Sequence, residues 1–332
     1  MIPADVSEVE QVTSIDVPGR VTAGDHGSRV DVGLPTASRV RDMLAAYVGL
    51  TKPRIIELLL VTTVPAMFLA AGGVPPLRLV LLTMVGGCLA AASANAFNCV
   101  LDRDIDERMR RTRRRPLPRH IVDPKAATLF GLVLGVAATL WLGLFVNWLS
   151  AALALGANAF YIGVYTVWLK RRTPQNIVWG GIAGCFPPLI GWTAVTGSVS
   201  WVPLVLFLIV FLWTPPHTWA LALRYREDYA AAAVPMLPVV RSAVVVGRQI
   251  MLYAALTVAA SFLLWPVAGT GWIYLTVALL AGAALIWESG QLWWRAAQGL
   301  TDAALKPMRL FHWSNSYLAL VFVAAAIDAL VF

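Results

Sequence analysis

The sequence predicts an all-α membrane protein: nine transmembrane helices bundled around a central cavity, with the N-terminus on the cytoplasmic side. Three observations predict it. Of the 332 residues, 59% are hydrophobic and only 13% are charged, against about 25% charged in a soluble domain, and mean hydropathy is +0.71. Nine runs are apolar for the roughly 20 residues that a helix needs to cross hydrocarbon. The basic residues at the ends of the runs fall on one side, Arg78 excepted.

Residues 1–45 stand apart. "MIPADVSEVEQVTSIDVPGRVTAGDHGSRVDVGLP" is polar, acidic and rich in Gly, Ser and Pro. It has no apolar core of signal-peptide type and is too acidic for a mitochondrial transit peptide. It reads as a disordered polar tail ahead of a membrane domain spanning 46–332. The apolar runs follow at 55–72, 77–101, 124–145, 147–168, 176–197, 201–223, 246–267, 271–294 and 309–331. Nearly all carry scattered Gly, Ala and Ser, which let helices approach closely in lipid. Pro65 and the pairs Pro187-Pro188 and Pro215-Pro216 fall inside runs, where freed carbonyls have to be satisfied by neighbouring helices or a cavity.

With nine spans the loops alternate sides. One side receives Lys52, Arg54, the loop at 102–123, Lys170 to Arg172, Arg224 to Arg248 and Arg295 to Arg309; the other receives Arg78 alone. The basic side is the cytoplasmic one, which suits a bacterial cytoplasmic membrane, and no nucleic-acid partner is expected. Cys88, Cys99 and Cys185 lack metal-ligand spacing and imply neither a disulfide framework nor a zinc site.

The chemistry concentrates in three polar segments. In "NCVLDRDIDERMRRTRRRPLPRH", residues 98–120, a helix running through 106 places Asn98, Asp102 and Asp106 at i, i+4 and i+8 on one face, with Asn95 a turn earlier. Asp104 points elsewhere and reads as a solvated charge. Like charges at i,i+4 repel, so a partner is needed: either the neighbouring arginines or a divalent cation. Magnesium favours oxygen ligands and is usually held by one or two carboxylates plus substrate phosphates. Arg111 and Arg115 belong to the positive-inside signal, yet guanidinium forks also grip phosphate oxygens.

The second segment, "WTPPHTWALALRYREDYAAAAVPMLPV" at 213–239, puts His217, Arg224 and Asp228 on one helical face. His217 could be a satisfied core residue, a base, a hydrogen-bond donor or an iron ligand. Glu227 and Asp228 could form a second cation site, or an interfacial pair with Arg224 or Arg226. The third segment is "YIGVYTVWLKRRTPQNIVWGGIAGCFPPLIGW" at 161–192. Lys170 and Arg171 close one run, and Asn176, Gly180 and Gly181 open the next. The glycines allow close backbone approach, to a helix or to a ligand. All three segments sit at the cytoplasmic ends, which points to one cavity with a charged mouth and an apolar body.

Together these segments resemble the UbiA superfamily of intramembrane prenyltransferases, and closely its heme branch. The resemblance runs from "LTKPRI" at 50–55 to the last span. It rests on Asn98, Asp102 and Asp106, on "RT..RPLP" from Arg111 to Pro118, on "LKR.TP.NI..GG.AG..PP.IGW" at 169–192, and on "PPH.WALA" at 215–222 followed by Asp228-Tyr229 and "PMLP" at 235–238. The resemblance implies transfer of the farnesyl group of farnesyl diphosphate to a vinyl group of protoheme IX, with water added and diphosphate released. It implies Mg2+ on Asn98, Asp102 and Asp106, with Glu227 and Asp228 as further candidate ligands. It makes Asp102, Asp106 and His217 the catalytic candidates. Lys52, Arg54, Arg111 and Arg115 join Lys170, Arg171, Arg224 and Tyr165 as substrate contacts. A downstream heme A synthase is an implied partner besides the lipid bilayer. The branch often has a glycine where "AAAAV" precedes "PMLP", so a stiffer loop is expected. A sister enzyme acting on a quinone precursor, a transporter and a heme-assembly subunit are the rivals. "PPHTWALA" argues against the first, and the clustering of charge at one face argues against the second. The third would need no Mg2+.

Overall fold

The computed structural model describes residues 37–332, with backbone alone at 37–39 and 54–60. In chain order the helices are α1 (Ala37–Thr51), α2 (Pro53–Ala71), α3 (Leu77–Leu101), α4 (Arg103–Arg108), α5 (Pro124–Phe145) and α6 (Trp148–Ala159). A π-helical segment (Phe160–Leu169) continues α6. α7 (Asn176–Gly180) runs through a 3₁₀ turn (Gly181–Cys185) into α8 (Phe186–Thr196). Then come α9 (Trp201–Arg224), the short α10 (Arg226–Ala231) and α11 (Leu237–Val240), and the long α12 (Ala243–Ala268), α13 (Trp272–Ala297) and α14 (Pro307–Val331).

Among the described residues, eight helical stretches are long and apolar enough to cross a membrane, and they coincide with the last eight runs read from the sequence. The first run is α2, whose described side chains form the shorter apolar stretch Val61–Ala71. Residues 1–36 of the expected tail lie outside the described residues. Residues 37–45, assigned to the tail from sequence, belong instead to α1. This helix never reaches bilayer length, so a search for long apolar runs passes over it. Its Ala46 and Leu50 are buried with Ala96 and Cys99 of α3.

Neighbouring helices in the chain mostly pack side by side. α3, α5, α6 and α8 follow one another, then α9, α12, α13 and α14, while α2 lies between the two groups against α8 and α14. The largest core joins α9, α12, α13 and α14 around Trp219, Tyr274, Tyr317 and Phe322. Polar atoms inside it are paired: Tyr274 donates to the Ser261 carbonyl at 2.7 Å, and Trp213 Nε1 to the Ser314 carbonyl at 2.7 Å. Buried Asp328 accepts the backbone N–H groups of Gly271 and Tyr274, so a carboxylate caps the start of α13. Outward, Leu129, Leu132, Val136, Leu140 and Leu144 of α5 are exposed at helical spacing, the pattern of a lipid-facing stripe.

The two proline pairs act differently. α9 passes unbroken through Pro215 and Pro216. The span at 176–196 does break, and Pro187 and Pro188 fall in the first turn of α8, where a missing N–H costs no helical bond. α8 approaches the backbone of α2 closely at Gly191, where a Cβ would run into the carbonyl oxygen of Thr63. Backbone cannot yield as a flexible side chain can. Gly191→Val should therefore cost about 1–3 kcal/mol, the usual penalty of overpacking. It should lower the melting temperature in detergent, whereas Gly156→Val, with open space around its Cβ, should leave it near the parent value.

Candidate active site

The site begins where α3 gives out. Asp102 (φ −96°, ψ 8°) stands between α3 and α4, so the continuous helix expected through residue 106 is interrupted there. The hydrogen bonds nonetheless keep helical spacing: Asp102 N–H donates to the Asn98 carbonyl at 2.9 Å and Asp106 N–H to the Asp102 carbonyl at 2.8 Å. Asn98, Asp102 and Asp106 are only 4%, 1% and 3% exposed. Two carboxylates so far from water need counter-charge, and the chain supplies it from three separate segments.

Lys170, at the end of the π-helical segment, places Nζ 2.5 Å from Asp102 Oδ2. Arg115 reaches both oxygens of Asp106, at 2.9 and 2.7 Å. Lys52, the residue capping α2, donates to Asn98 Oδ1 at 2.5 Å. Asn98 in turn donates to Asp102 Oδ2 at 2.7 Å and to Thr166 Oγ1 at 3.2 Å. Thr112 Oγ1 donates to the Asp106 carbonyl at 3.0 Å and pins the following loop. Lys52 adopts a left-handed backbone (φ 52°), at a cost of about 1–3 kcal/mol for a non-glycine residue. Burial pushes its ammonium down to about 8. Burial works against Lys170 as well, yet Tyr165 and Asp102 beside it carry its pKa above the ordinary lysine value. The difference is the partner, a neutral amide for one and a carboxylate for the other.

Arg171 holds Asp104 with two bonds of 2.7 Å and donates to the Leu101 carbonyl at 2.9 Å. Asp104 is therefore an ion-paired group, where the sequence reads it as merely solvated. The hydrogen bonds from Arg171 hold its carboxyl down at about 2. Arg54 lies outside the described side chains. Asn95 turns away from the carboxylates, donating to the Thr51 carbonyl at 2.9 Å.

Two cavities neighbour this polar end, through Asn95 in one and Tyr165 in the other. One, of about 280 Å³, is lined by Tyr161, Tyr165, Gly180, Gly181, Trp213 and Thr214 among others. The other, of about 170 Å³, runs between α3, α6 and α8 along Met84, Gly87, Ala90, Ala91, Phe186 and Ile190. Tyr161, Ala183 and Gly184 line both. The Tyr161 and Tyr165 rings lie 5.4 Å apart, tilted by 30°. Gly180 is bare because the Tyr165 ring occupies the place of its Cβ, and Gly181 faces Thr214. The close approach permitted by these glycines is thus to side chains of the protein.

His217 does not join the carboxylates. It is stacked between Trp213 (4.2 Å) and Phe311 (4.5 Å), with Nδ1 2.9 Å from Ser314 Oγ, one residue from the cavity-lining Thr218. Glu227 is exposed and paired with Arg110 at 2.5 Å. Buried Asp228 accepts the Arg111 N–H at 3.2 Å and lies 3.6 Å from Arg110. Among the described residues no three Asp, Glu, His or Cys groups converge as a metal cluster, and Glu227 and Asp228 are engaged by arginines rather than by the first carboxylates. A magnesium ion that draws most of its ligands from phosphate and water still fits the first pair. Asp102 Oδ1 is buried and accepts no hydrogen bond, a hard oxygen ligand held ready.

The chain has counterparts among known proteins. The UbiA prenyltransferase family matches residues 59–315, which span the carboxylates, Lys170 and every residue named above for the two cavities. The chain belongs to the UbiA prenyltransferase family. Among its relatives, a protoheme IX farnesyltransferase of Cutibacterium acnes is 67% identical over 88% of this chain and 86% of its own length. Another, from a Nocardioides species, is 62% identical over 93% of this chain and 98% of its own. The solved structure of a digeranylgeranylglyceryl phosphate synthase shares the UbiA fold with a TM-score of 0.71, at 18% identity, over 88% of this chain and 100% of that one. A UbiA homolog from Archaeoglobus fulgidus, bound to GPP and Mg2+, does so with a TM-score of 0.58 at 15% identity, over 86% and 100% of the two chains.

Within this UbiA prenyltransferase the sequence brings most of the expected cations to the carboxylates, but it hides Thr166 and Tyr161. Both sit in an apolar run whose π-helical winding has no sequence signature. The ion pairs set a testable energetic order. Lys170→Met leaves buried Asp102 with only the longer 3.9 Å cation contact of Arg171, which should cost up to about 3–5 kcal/mol. The double variant Lys170→Met/Asp102→Asn should recover most of that loss, as read by thermal melting in detergent.

Proposed function

We propose that this chain is a Mg2+-dependent protoheme IX farnesyltransferase, joining the farnesyl group of farnesyl diphosphate to a vinyl group of protoheme IX. The observation that carries the reading is the buried Asn98–Asp102–Asp106 set, ringed by Lys52, Arg115 and Lys170, next to cavities lined mostly by apolar and aromatic groups. A substrate with a doubly charged head and a hydrocarbon tail matches that polarity. The farnesyltransferase relatives, highly identical over most of the chain, support the same reaction.

Asp102 and Asp106, with Asn98, would hold Mg2+, which supplies charge stabilisation to the departing diphosphate. Lys52, Arg115 and Lys170 bind the diphosphate oxygens from around the metal position. Arg171, anchored on Asp104, fixes the end of the π-helical segment that delivers Lys170, and Arg54 precedes the same mouth in sequence. These fixed cations stabilise charge as the C–O bond breaks and its electron pair leaves with diphosphate. The allylic cation left behind lies beside the faces of Tyr165 and Tyr161, whose quadrupoles favour positive charge. The vinyl π electrons form the new C–C bond. The cation that results next to the porphyrin takes a water molecule and releases a proton, giving the hydroxyethylfarnesyl group. Bulk water is kept from the first cation by the apolar walls.

His217 is assigned to the heme side, as part of the Trp213–His217–Phe311 stack flanking the larger inner cavity. The one-sided distribution of Lys and Arg in the loops supports a site opening at the cytoplasmic face of a bacterial membrane. A downstream heme A synthase would take the product.

Purified protein supplied with protoheme, farnesyl diphosphate and Mg2+ should yield farnesylated, hydrated heme by mass spectrometry. Omitting the metal, or substituting Asp102→Asn, should lower the rate at least 100-fold. Farnesylation of a phenolic acid in place of heme would refute the acceptor assignment. His217→Ala should raise the KM for protoheme while leaving that for farnesyl diphosphate unchanged; an unaltered heme KM would remove His217 from the site.

A further inference from the structure

One cluster of cations has no part in the chemistry above. A cavity of about 490 Å³ lies between the α9–α10 turn and the connection from α13 to α14, lined by Arg110, Arg111, Arg224, Tyr225, Arg226 and the carboxylates Glu227, Asp228 and Asp302. Arg110 is engaged by Glu227 and Asp228, and Asp228 also accepts the Arg111 N–H. Among the described residues, no carboxylate lies within ion-pair distance of the Arg111, Arg224 or Arg226 side chains. Asp302 is the one lining carboxylate with no ion pair of its own, so three uncommitted guanidinium groups face one uncommitted acid.

The arginines are also arranged. The Arg111 guanidinium stands 5.0 Å and that of Arg224 6.0 Å from the centre of the same ring, Tyr225. Arg111 is fixed further by a 3.3 Å bond to Tyr229 Oη and lies 5.8 Å from the Tyr229 ring. Two like charges are thereby held around one aromatic ring, an arrangement that repels itself unless anions lie close by. Guanidinium forks take carboxylates in bidentate fashion, and a flat aromatic surface beside them suits a flat ligand.

We propose that this cavity is the subsite for the two propionate carboxylates of the porphyrin, with Arg111 and Arg224 as the principal contacts and Arg226 assisting. The inference rests on the acceptor being protoheme, as proposed above. Protoheme carries its two propionates side by side on one edge and its vinyl groups on the other half of the ring. Gripping the propionate edge here turns the vinyl half toward the inner cavity, because Tyr225 and Tyr165 pack against one apolar cluster of Ile105, Ile177 and Tyr229. The loop from Asp106 to Arg115 ties the two ends together. Arg115 holds Asp106 and Arg111 belongs to the new subsite, so the donor and acceptor grips share one short segment. An anionic lipid headgroup offers similar charge but lacks both the paired carboxylates on one rigid edge and the flat ring.

The full chain in neutral phosphatidylcholine nanodiscs, titrated with protoheme IX and with its dimethyl ester and followed by Soret absorbance, tests this. Arg224→Gln, an exposed position whose replacement should leave the fold intact, is compared with the parent, and Arg224→Lys serves as the conservative variant. Protoheme should bind at least tenfold more weakly to Arg224→Gln, with partial recovery in Arg224→Lys. The ester should bind weakly to the parent and change less than twofold in the variant. Binding of farnesyl diphosphate should not move. Equal losses for acid and ester, or no loss for either, would overturn the subsite. So would a variant that alters only the response to added phosphatidylglycerol, since the arginines would then serve lipid headgroups. If the parent binds farnesyl diphosphate but not protoheme, the acceptor assignment falls and the subsite falls with it.

Discussion

Two carboxylates out of reach of water have to be neutralised, and the polar end of this molecule is organised around that demand. Asp102 and Asp106 are the least exposed acids of their segment, and each is met by a cation from a different part of the chain. Removing one partner of such a pair costs several kcal/mol, so Lys170 and Arg115 are structural ties besides the ligand-binding role proposed for them. The loop after α4 is drawn inward to deliver Arg115, and the end of the π-helical segment is drawn inward to deliver Lys170. Lys52 accepts a strained backbone while its amine reaches Asn98. What looks in sequence like a surplus of charge at a helix end is a closed set of contacts among four segments.

The same demand explains the division of labour along the membrane normal. Charge is confined to one end, where it can be paired. The body of the bundle is packed from apolar side chains and small residues, with its few polar atoms mostly turned onto neighbouring carbonyls. The inner cavities inherit that character. Their walls are mainly alanine, glycine and aromatic faces with scattered Thr and Asn, a lining better suited to hydrocarbon and flat rings than to ions.

Much of this was legible in the sequence. The apolar runs locate the helices because a bilayer enforces length and composition. The Asn98–Asp102–Asp106 spacing puts the three side chains together, since helical hydrogen bonds persist through the break at Asp102. Lys170 and Arg115 were named as contacts, although nothing in the spacing said which acid each would meet. The misses have physical causes. α1 is too short and too polar to register as a span. The 3₁₀ turn at Gly181–Cys185 and the π-helical winding at Phe160–Leu169 depend on tertiary packing, to which local propensity is blind. Asp104 and Glu227 find arginines because of how the loops fold back.

The π-helical segment has a consequence for how the site tolerates change in chain length. A π-helix carries more residues per turn than an α-helix, and is equivalent to an α-helix with residues inserted. Everything beyond it is therefore phased by its winding. Deleting one residue there while the segment keeps its winding would turn the following residues by one residue's step, on the order of 100° about the axis. Thr166 would leave Asn98, and Lys170 and Arg171 would swing away from Asp102 and Asp104. A single codon lost from an apolar stretch, with no charged residue touched, would uncouple the fourth span from the carboxylates on the second.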